Sequence, residues 1–168
     1  MTVAVEPYIR VSLANQRLEL LDGSNRLLMD VAVSTSANGP GELMDSNCTP
    51  RGWHVIRARI GAHAAVNTVF VGRRPTGEVY SPQLCAREPR RDWILTRILW
   101  LSGVERGRNR LGRVDTMRRY IYIHGAPDET PMGCVGSHGC VRMRNAQLVE
   151  LFERVAVGTR VYIGEPEG

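Results

Sequence analysis

Lysine is absent from this chain: all 22 basic residues are arginine, set against 17 acidic residues, which gives a formal net charge of +5. We attribute this bias mainly to codon usage in the source genome, although the planar guanidinium group of arginine is also well suited to binding carboxylates and phosphates. Positive charge alone attracts nucleic acid without specificity, and aromatic residues that would stack on bases make up only 6% of the chain. The arginine-rich segment 103–119 contains no recognisable binding module, so we expect no nucleic-acid partner.

Long apolar runs are also missing. The longest apolar patch, 93–104, is interrupted by Arg97 and falls short of the roughly 20 residues that a membrane-spanning helix needs. Residues 1–7 contain neither the basic region nor the apolar core of a signal peptide. We therefore expect a cytoplasmic protein without a membrane span; a leader removed from the native protein would instead place it in the periplasm.

Cysteine is scarce, with four residues in a chain of 168, and this number is too low for a disulfide scaffold. A lone cysteine is usually a small buried apolar residue, and we predict that role for Cys48 and Cys85. Cys134 is open to two interpretations, as a core residue or as a thiol that forms a redox disulfide with Cys140, six positions further on.

Short β-branched and aromatic runs separated by turn signals predict the fold. They indicate one domain spanning 1–168 with a mainly β fold, in which sandwich-like mixed sheets are accompanied by one or two short helices. The segment Ile94–Leu101 fits either a strand or a buried helix, and Ser81–Arg91 is predicted to be an exposed insertion. The other predicted strands are 8–13, 17–21, 27–34, 52–60, 68–71, 78–80, 120–123 and 160–163, with a turn at 75–77.

One helix is predicted near the C-terminus. Asn145 is a suitable N-cap residue, and Gly158 is a suitable C-terminal stop. Four apolar residues between them recur at helical spacing, which is typical of a helix that buries one face: Leu148, Leu151, Phe152 and Val155.

Chemistry-bearing residues cluster between 120 and 143. His124 and Gly125 follow an apolar run, and the turn Ser137-His138-Gly139-Cys140 comes after a loop. A thiol is mostly protonated at neutral pH, so a nearby imidazole can activate it by taking its proton. The residues alone leave His124 and His138 as alternative bases. Because Gly139 allows a tight turn, the amides of Gly139 and Cys140 are predicted to be free to stabilise an oxyanion.

A zinc-binding module is the competing interpretation of the same region. His124, Cys134, His138 and Cys140 are the residue types of a Cys2His2 site. The two cysteines enclose five residues, however, which is more than a zinc knuckle usually allows. We therefore expect a cysteine acyl-transfer site that uses no metal and no organic cofactor.

The motif His124-Gly125, followed by Ser137-His138-Gly139-Cys140-Val141-Arg142, resembles the signature of the L,D-transpeptidase catalytic domain (YkuD) family. That signature is a histidine, a loop, then Ser/Thr-His-Gly-Cys, a hydrophobic residue and Asn or Arg. Thr49-Pro50-Arg51-Gly52 is similar to the Thr-Pro-x-Gly entry to a central strand in this family. The resemblance extends roughly from Tyr8 to Ile163 and favours a strand for Ile94–Leu101.

The resemblance implies a reaction. In the family, the cysteine attacks the carbonyl between the third residue and the terminal D-alanine of a peptidoglycan stem peptide, which gives a thioester. By this analogy Cys140 is the nucleophile, His124 is the base oriented by the Gly125 carbonyl, and His138 shapes the pocket and the oxyanion region. Five residues are predicted to bind stem peptides or muropeptides: Ser137, Arg142, Arg118, Arg113 and Arg108.

Two fates of the thioester remain open at this stage. Water as the acceptor gives an L,D-carboxypeptidase that releases D-alanine, whereas an amine gives cross-linking or exchange of the terminal D-amino acid. We expect hydrolysis, and with it a place in muropeptide recycling, because a cytoplasmic protein meets soluble wall fragments rather than assembled wall. The sequence carries no signal for an oligomeric state.

Overall fold

The computed structural model describes residues 6–165 as a mainly β protein. Within these residues there are ten strands, two α-helices and a short 3-10 helix at Gly112–Val114. The predicted fold class, mainly β with mixed sheets and one or two short helices, is confirmed. In chain order the elements are β1 Tyr8–Ser12, β2 Arg17–Leu21, β3 Leu27–Ala32, β4 Gly52–Ile60, β5 Thr68–Val71, β6 Arg74–Val79, α1 Pro82–Arg87, β7 Ile94–Gly103, β8 Tyr122–Gly125, β9 Val141–Met143, α2 Asn145–Arg154 and β10 Arg160–Gly164.

The strands form one continuous mixed sheet with the order β3-β2-β1-β10-β4-β7-β5-β6, and β8 joins it between β7 and β9. The pairs β1–β10 and β8–β9 are parallel, and the other pairs are antiparallel. Ser34, which follows β3, forms an antiparallel bridge with Arg142 of β9. This bridge connects the β3 end of the series to β9, the end of the branch β7-β8-β9, so these strands curl around a common interior.

The interior is filled by apolar side chains from the strands and from one face of α2. Leu148, Leu151 and Phe152 lie on that face and are almost fully buried, as their helical spacing predicts. They pack into one cluster with strand residues that include Ile9, Leu18, Ile56, Leu99, Leu101, Ile123, Val141 and Ile163. Burying this cluster supplies the main driving force for folding, and it fixes β8 and β9, the two strands that flank the candidate site.

Asn145 differs from the prediction. It is the first residue of α2 rather than its N-cap, which is Arg144. The Asn145 side chain is buried and donates to the Ala126 carbonyl at 2.8 Å, while its own oxygen accepts from the Thr96 hydroxyl at 2.6 Å. Tertiary partners thus replace the local capping bond, and they tie the start of α2 to the segment that follows β8.

Two local predictions were wrong, and one was incomplete. The segment Ser81–Arg91 is largely exposed, as predicted, but it contains α1, which Ser81 caps by accepting from the Leu84 amide and which has a proline at its start. The predicted turn 75–77 lies within β6, where proline is tolerated because this strand is at the edge of the sheet. The strand predicted from Tyr120 begins only at Tyr122, since Tyr120 has a φ of +55°.

No helix of the part described, 6–165, combines the length and the apolar character that crossing a membrane requires.

Candidate active site

The parallel pairing of β8 and β9 brings His124 close to Cys140. Ile123 pairs with Val141 and His124 with Arg142, so Cys140, immediately before β9, lies beside Tyr122. Because side chains alternate between the two faces of a strand, Tyr122 and His124 point to the same face of β8. Tyr122, His124 and Cys140 all line one cavity, which the sequence alone could not establish because 16 positions separate the histidine from the cysteine.

This cavity, called here the catalytic cleft, has a volume of about 550 Å³. Such a volume lies within the range typical of small-molecule and peptide-end sites. The lining mixes polar and apolar side chains, and its residues are Gly72, Arg73, Asp92, Ile94, Arg119, Tyr120, Ile121, Tyr122, His124, Ser137, His138 and Cys140.

The His124 imidazole is buried and oriented by the backbone. Its Nδ1 lies 2.6 Å from the Gly125 carbonyl oxygen, the contact that the resemblance implied. Since a carbonyl only accepts hydrogen bonds, Nδ1 carries the proton and Nε2 is free to accept one. Burial lowers the pKa of His124, and Arg142 lowers it further, although the Gly125 hydrogen bond and Asp92 oppose the shift. The resting imidazole is therefore neutral and able to act as a base.

The Cys140 thiol is half-buried and held by backbone groups. Its Sγ accepts from the Tyr122 amide at 3.3 Å and donates to the Tyr120 carbonyl at 3.5 Å. Burial raises the pKa of Cys140 to about 12, while the Tyr122 hydrogen bond and the charges of Arg119 and Arg142 act in the opposite direction. At neutral pH the pair is thus a thiol and a neutral imidazole rather than a thiolate–imidazolium ion pair.

Ser137 shapes the turn that presents Cys140. Its hydroxyl accepts from the Gly139 amide at 3.2 Å and donates to the Cys140 carbonyl at 2.6 Å. Gly139 has a φ of +127°, and a Cβ there would lie 3.2 Å from the Cys48 carbonyl oxygen, so the position requires glycine. The Thr49 hydroxyl, from the Thr-Pro-x-Gly motif, donates to the Gly139 carbonyl at 2.9 Å.

These contacts correct two predictions. The Gly139 amide is not free for an oxyanion, because it already donates to the Ser137 hydroxyl. The hydroxyl of Ser137, predicted to bind substrate, is engaged within the turn. Across residues 6–165, the Cys140 amide is left without a hydrogen-bond acceptor, which makes it the available oxyanion donor at this turn.

His138 occupies the rim of the catalytic cleft. Its Nδ1 lies 3.7 Å from an Asp92 carboxylate oxygen, and the two side chains are 73% and 47% exposed. An exposed imidazole that faces a carboxylate is poorly placed to take a proton from a thiol held by β8. The geometry therefore favours His124 over His138 as the base, while the part predicted for His138 in forming the pocket stays a prediction.

The predicted substrate arginines are dispersed. Arg108 pairs with Glu105 at 3.1 Å and lines a different cavity. Arg113 belongs to the 3-10 helix. Arg118 lines a cavity of about 240 Å³ that adjoins the catalytic cleft. Arg142 donates to the Ser34 hydroxyl at 3.2 Å. Placing Arg108 and Arg113 at the cleft was wrong, because neither is among the residues that line it.

Sequence reasoning missed two arginines that line the catalytic cleft, Arg73 and Arg119. Arg119 is half-buried and donates to the carbonyls of Gly41 and Cys48 and to the Ser46 hydroxyl. It thus holds the 41–48 loop against the cleft. Arg73 lies in the turn between β5 and β6. Both reach the site through contacts distant in sequence, and the only available signal was the position of Arg119 immediately before the catalytic segment.

The four cysteines are free thiols, and Cys134 is exposed. The redox disulfide between Cys134 and Cys140 is therefore not formed in this structure. A zinc module would need His124, Cys134, His138 and Cys140 in one cluster. Within the described range 6–165, however, no three His, Cys, Asp or Glu side chains form a group that could hold a metal ion.

A buried neutral imidazole, a thiol in a cleft and an amide that has no acceptor within residues 6–165 are the groups that nucleophilic acyl transfer requires. The sequence profile of the L,D-transpeptidase catalytic domain, YkuD, matches residues 6–163. The chain belongs to the YkuD family of L,D-transpeptidase catalytic domains.

Individual relatives match over shorter stretches. The probable L,D-transpeptidase YbiS of Escherichia coli strain K12 is 51% identical over 49 residues, which are 29% of this chain and 16% of that protein. The putative L,D-transpeptidase YqjB of Bacillus subtilis is 49% identical over 45 residues, 27% of this chain and 26% of that protein. Each match covers about a quarter or less of the relative.

Solved structures share the fold over nearly the whole chain. An L,D-transpeptidase from Mycobacterium smegmatis superposes with a TM-score of 0.55 and 16% identity, covering 94% of this chain and 58% of the other. For an L,D-transpeptidase from Stackebrandtia nassauensis the TM-score is 0.53 at 16% identity, covering 99% and 60%. At these identities the likeness concerns the fold, and the present chain spans about three fifths of each of these larger proteins.

Proposed function

We propose that this chain catalyses acyl transfer on peptidoglycan stem peptides, with Cys140 as the nucleophile and His124 as the base. The observation that carries the proposal is the catalytic cleft, where the Cys140 thiol and the His124 imidazole line one cavity and Gly125 fixes the imidazole in the tautomer that can accept a proton. Family membership supports peptidoglycan as the substrate, and the carbonyl attacked is the one that precedes the terminal D-alanine of a tetrapeptide.

The first half of the reaction forms a thioester. Cys140 Sγ attacks the carbonyl carbon while His124 Nε2 takes the thiol proton, and the negative charge that develops on the carbonyl oxygen is stabilised by the Cys140 amide. Protonated His124 then gives this proton to the departing nitrogen, the C–N bond breaks, and D-alanine leaves as a free amino acid. Because the thiol and imidazole are neutral at rest, the proton moves only when the substrate is in place.

The second half releases the acyl group. We propose water as the acceptor: His124 takes a proton from water, hydroxide attacks the thioester, and the Cys140 thiolate leaves and regains the proton. The exposed rim formed by Asp92 and His138 supports this outcome, because water can enter the cleft there and reach a thioester on Cys140. The protein would then act as an L,D-carboxypeptidase that trims tetrapeptides to tripeptides.

Cross-linking or exchange of the terminal D-amino acid is the second candidate function. One observation favours it: the adjoining cavity of about 240 Å³ shares Arg119, Tyr120, Ile121 and His138 with the catalytic cleft. An acceptor amine seated there would approach the thioester from a side different from that of the departing D-alanine. Hydrolysis and aminolysis use the same nucleophile and base, so the acceptor alone separates the two functions.

Mass spectrometry of a muropeptide tetrapeptide incubated with the protein tests the proposal. Hydrolysis yields a tripeptide and free D-alanine, and added D-amino acids are not incorporated. Cys140→Ala abolishes this reaction, whereas Cys48→Ala, which changes a thiol outside the cleft lining, leaves it largely intact. Cross-linked dimers or efficient exchange would establish the second candidate, and full turnover by Cys140→Ala would refute the nucleophile assignment.

A further inference from the structure

Arg73 occupies an unusual place for a long charged side chain. It is the second residue of the two-residue turn between β5 and β6, where Gly72 has a φ of +56° and Arg73 a φ of +65°. Such turns favour glycine, asparagine or aspartate because both residues are left-handed. A long side chain that adopts this backbone costs conformational energy, and costs of this kind concentrate at functional sites. The turn places the Arg73 guanidinium at the catalytic cleft.

Aromatic residues hold the Arg73 guanidinium in a fixed position. Its central carbon lies 4.6 Å from the centre of the Trp100 ring and 4.8 Å from that of Tyr120. One of its nitrogens donates to the Tyr122 hydroxyl at 3.1 Å. Cation–π stacking orients the group and leaves most of its five N–H donors available. Little side-chain entropy remains to be lost when an anion binds.

Arg73 has no acidic partner among the residues that the structure describes. Its only polar side-chain contact is with a neutral phenol, and no salt bridge includes it. The other arginine of the cleft differs, because Arg119 already donates to three acceptors of the 41–48 loop. Arg73 is therefore the cleft cation with open donors, next to a hydroxyl that can donate to the same anion.

We infer that Arg73, together with the Tyr122 hydroxyl, binds the terminal carboxylate of the residue that leaves the substrate. This inference rests on the proposed function. Guanidinium and carboxylate match in geometry and charge and form short hydrogen bonds. Binding here selects peptides that end one residue after the scissile carbonyl and so distinguishes a tetrapeptide from a pentapeptide.

Tyr122 links the carboxylate site to the reacting atoms. Its amide donates to Sγ of Cys140 at 3.3 Å, and its hydroxyl, at the far end of the same side chain, accepts from Arg73 at 3.1 Å. One residue of extended chain spans about 3.3–3.6 Å, and a guanidinium–carboxylate hydrogen bond adds about 2.8 Å. A peptide that extends one residue further would place its carboxylate one residue length further from the scissile carbonyl.

Binding measurements on the inactive Cys140→Ala protein test the inference without turnover. Isothermal titration compares a tetrapeptide bearing a free terminal carboxylate with the same peptide as its C-terminal amide. We expect the acid to bind about tenfold more tightly than the amide. This difference is at the lower end of the range for hydrogen bonds to charged groups, because the Arg73 guanidinium is partly exposed to solvent. Raising the salt concentration should reduce the difference.

Substitutions at the turn supply the matched comparison. Arg73→Gln in the Cys140→Ala background should abolish the preference for the acid, and Arg73→Lys should restore part of it. The control is Arg74→Gln, which removes the neighbouring charge of β6, an exposed residue outside the cleft lining. It should leave the preference unchanged. Thermal melting checks that each variant is folded, and quenching of Trp100 fluorescence reports binding next to Arg73 independently.

The outcomes separate this inference from the proposed function. Equal affinity for acid and amide, a preference that survives Arg73→Gln, or no binding of either peptide would overturn the inference, even if the active protein hydrolyses tetrapeptides. A preference for the acid that requires Arg73, in a protein that releases no D-alanine, would uphold the carboxylate site and refute the proposed function. A preference that instead follows amidation of another peptide carboxylate would assign Arg73 to that group, contrary to the inference.

Discussion

The resting state of Cys140 predicts an unusual response to alkylation. Burial raises the pKa of its thiol to about 12, compared with roughly 8.5 for an ordinary cysteine. At neutral pH the thiolate fraction is therefore lower by about 3,000-fold. A more basic thiolate is intrinsically more nucleophilic, and this raises the rate of reaction per thiolate by about 40-fold. Iodoacetamide should thus modify Cys140 roughly 100-fold more slowly than an ordinary exposed thiol.

The measurement uses a variant in which the other three cysteines are serine, so that mass spectrometry follows Cys140 alone. A variant that retains only Cys134, which is exposed, is the control. Because the folded pKa is raised, the Cys140 rate should climb about tenfold per pH unit from pH 7 to 10 without levelling off. A plateau below about pH 8 would show that a thiolate–imidazolium pair already exists at rest and would refute the neutral-pair mechanism.

Two further predictions concern the base and its support. His124→Ala should slow release of D-alanine by about 10²–10⁴-fold, the usual cost of losing a general base, whereas His138→Ala on the exposed rim should slow it less than about tenfold. Steady-state assays compare the two variants, and a larger loss in His138→Ala would exchange the roles of the two histidines. Gly125→Ala should reduce turnover by about 100-fold, because the added methyl group displaces the carbonyl that orients His124.

The magnitude for Gly125 follows from its surroundings. A Cβ there would lie 2.2 Å from the Asn145 side-chain oxygen and 2.6 Å from the Leu95 carbonyl oxygen, so the backbone must shift, at a cost of about 1–3 kcal/mol in stability. Gly107→Ala is the control for a loss of stability without a clash, since nothing lies within 4 Å of a Cβ at that position but its φ of +80° strains an alanine. Turnover equal to that of the unmodified protein in Gly125→Ala would show that the Gly125 carbonyl does not govern the imidazole.

The nucleophile and the base could be proposed from sequence because a compact motif contains both. The strand before His124 and the turn before Cys140 are local features, and the contact between His124 and the Gly125 carbonyl joins adjacent residues. Even within this motif, a competing acceptor for the Gly139 amide was overlooked. A serine hydroxyl can accept a hydrogen bond from the backbone amide two residues later, and the Ser137 hydroxyl accepts from the Gly139 amide in this way.

The walls of the cleft were beyond sequence reasoning because distant segments form them. Arg73 enters through a hairpin about 50 positions before β8, and Thr49 reaches Gly139 across 90 positions. Contacts distant in sequence also explain the error at Asn145. Asparagine favours an N-cap position, but the buried hydrogen bonds of this side chain with Thr96 and Ala126 override that local preference. The density of charge in segment 103–119 was a poor guide to the site, since only Arg119 of its six arginines lines the catalytic cleft.

The position of β10 makes the middle of the sheet depend on contacts that are distant in sequence. This strand lies between β1, with which it pairs in parallel, and β4, so the hairpin of β1 and β2 has no neighbour on that side until residues 160–164 are in place. Contacts between segments far apart in sequence are slow to form because they close long loops. The ring of strands that supports the Cys140 thiol should therefore close late in folding, after the local hairpins have formed.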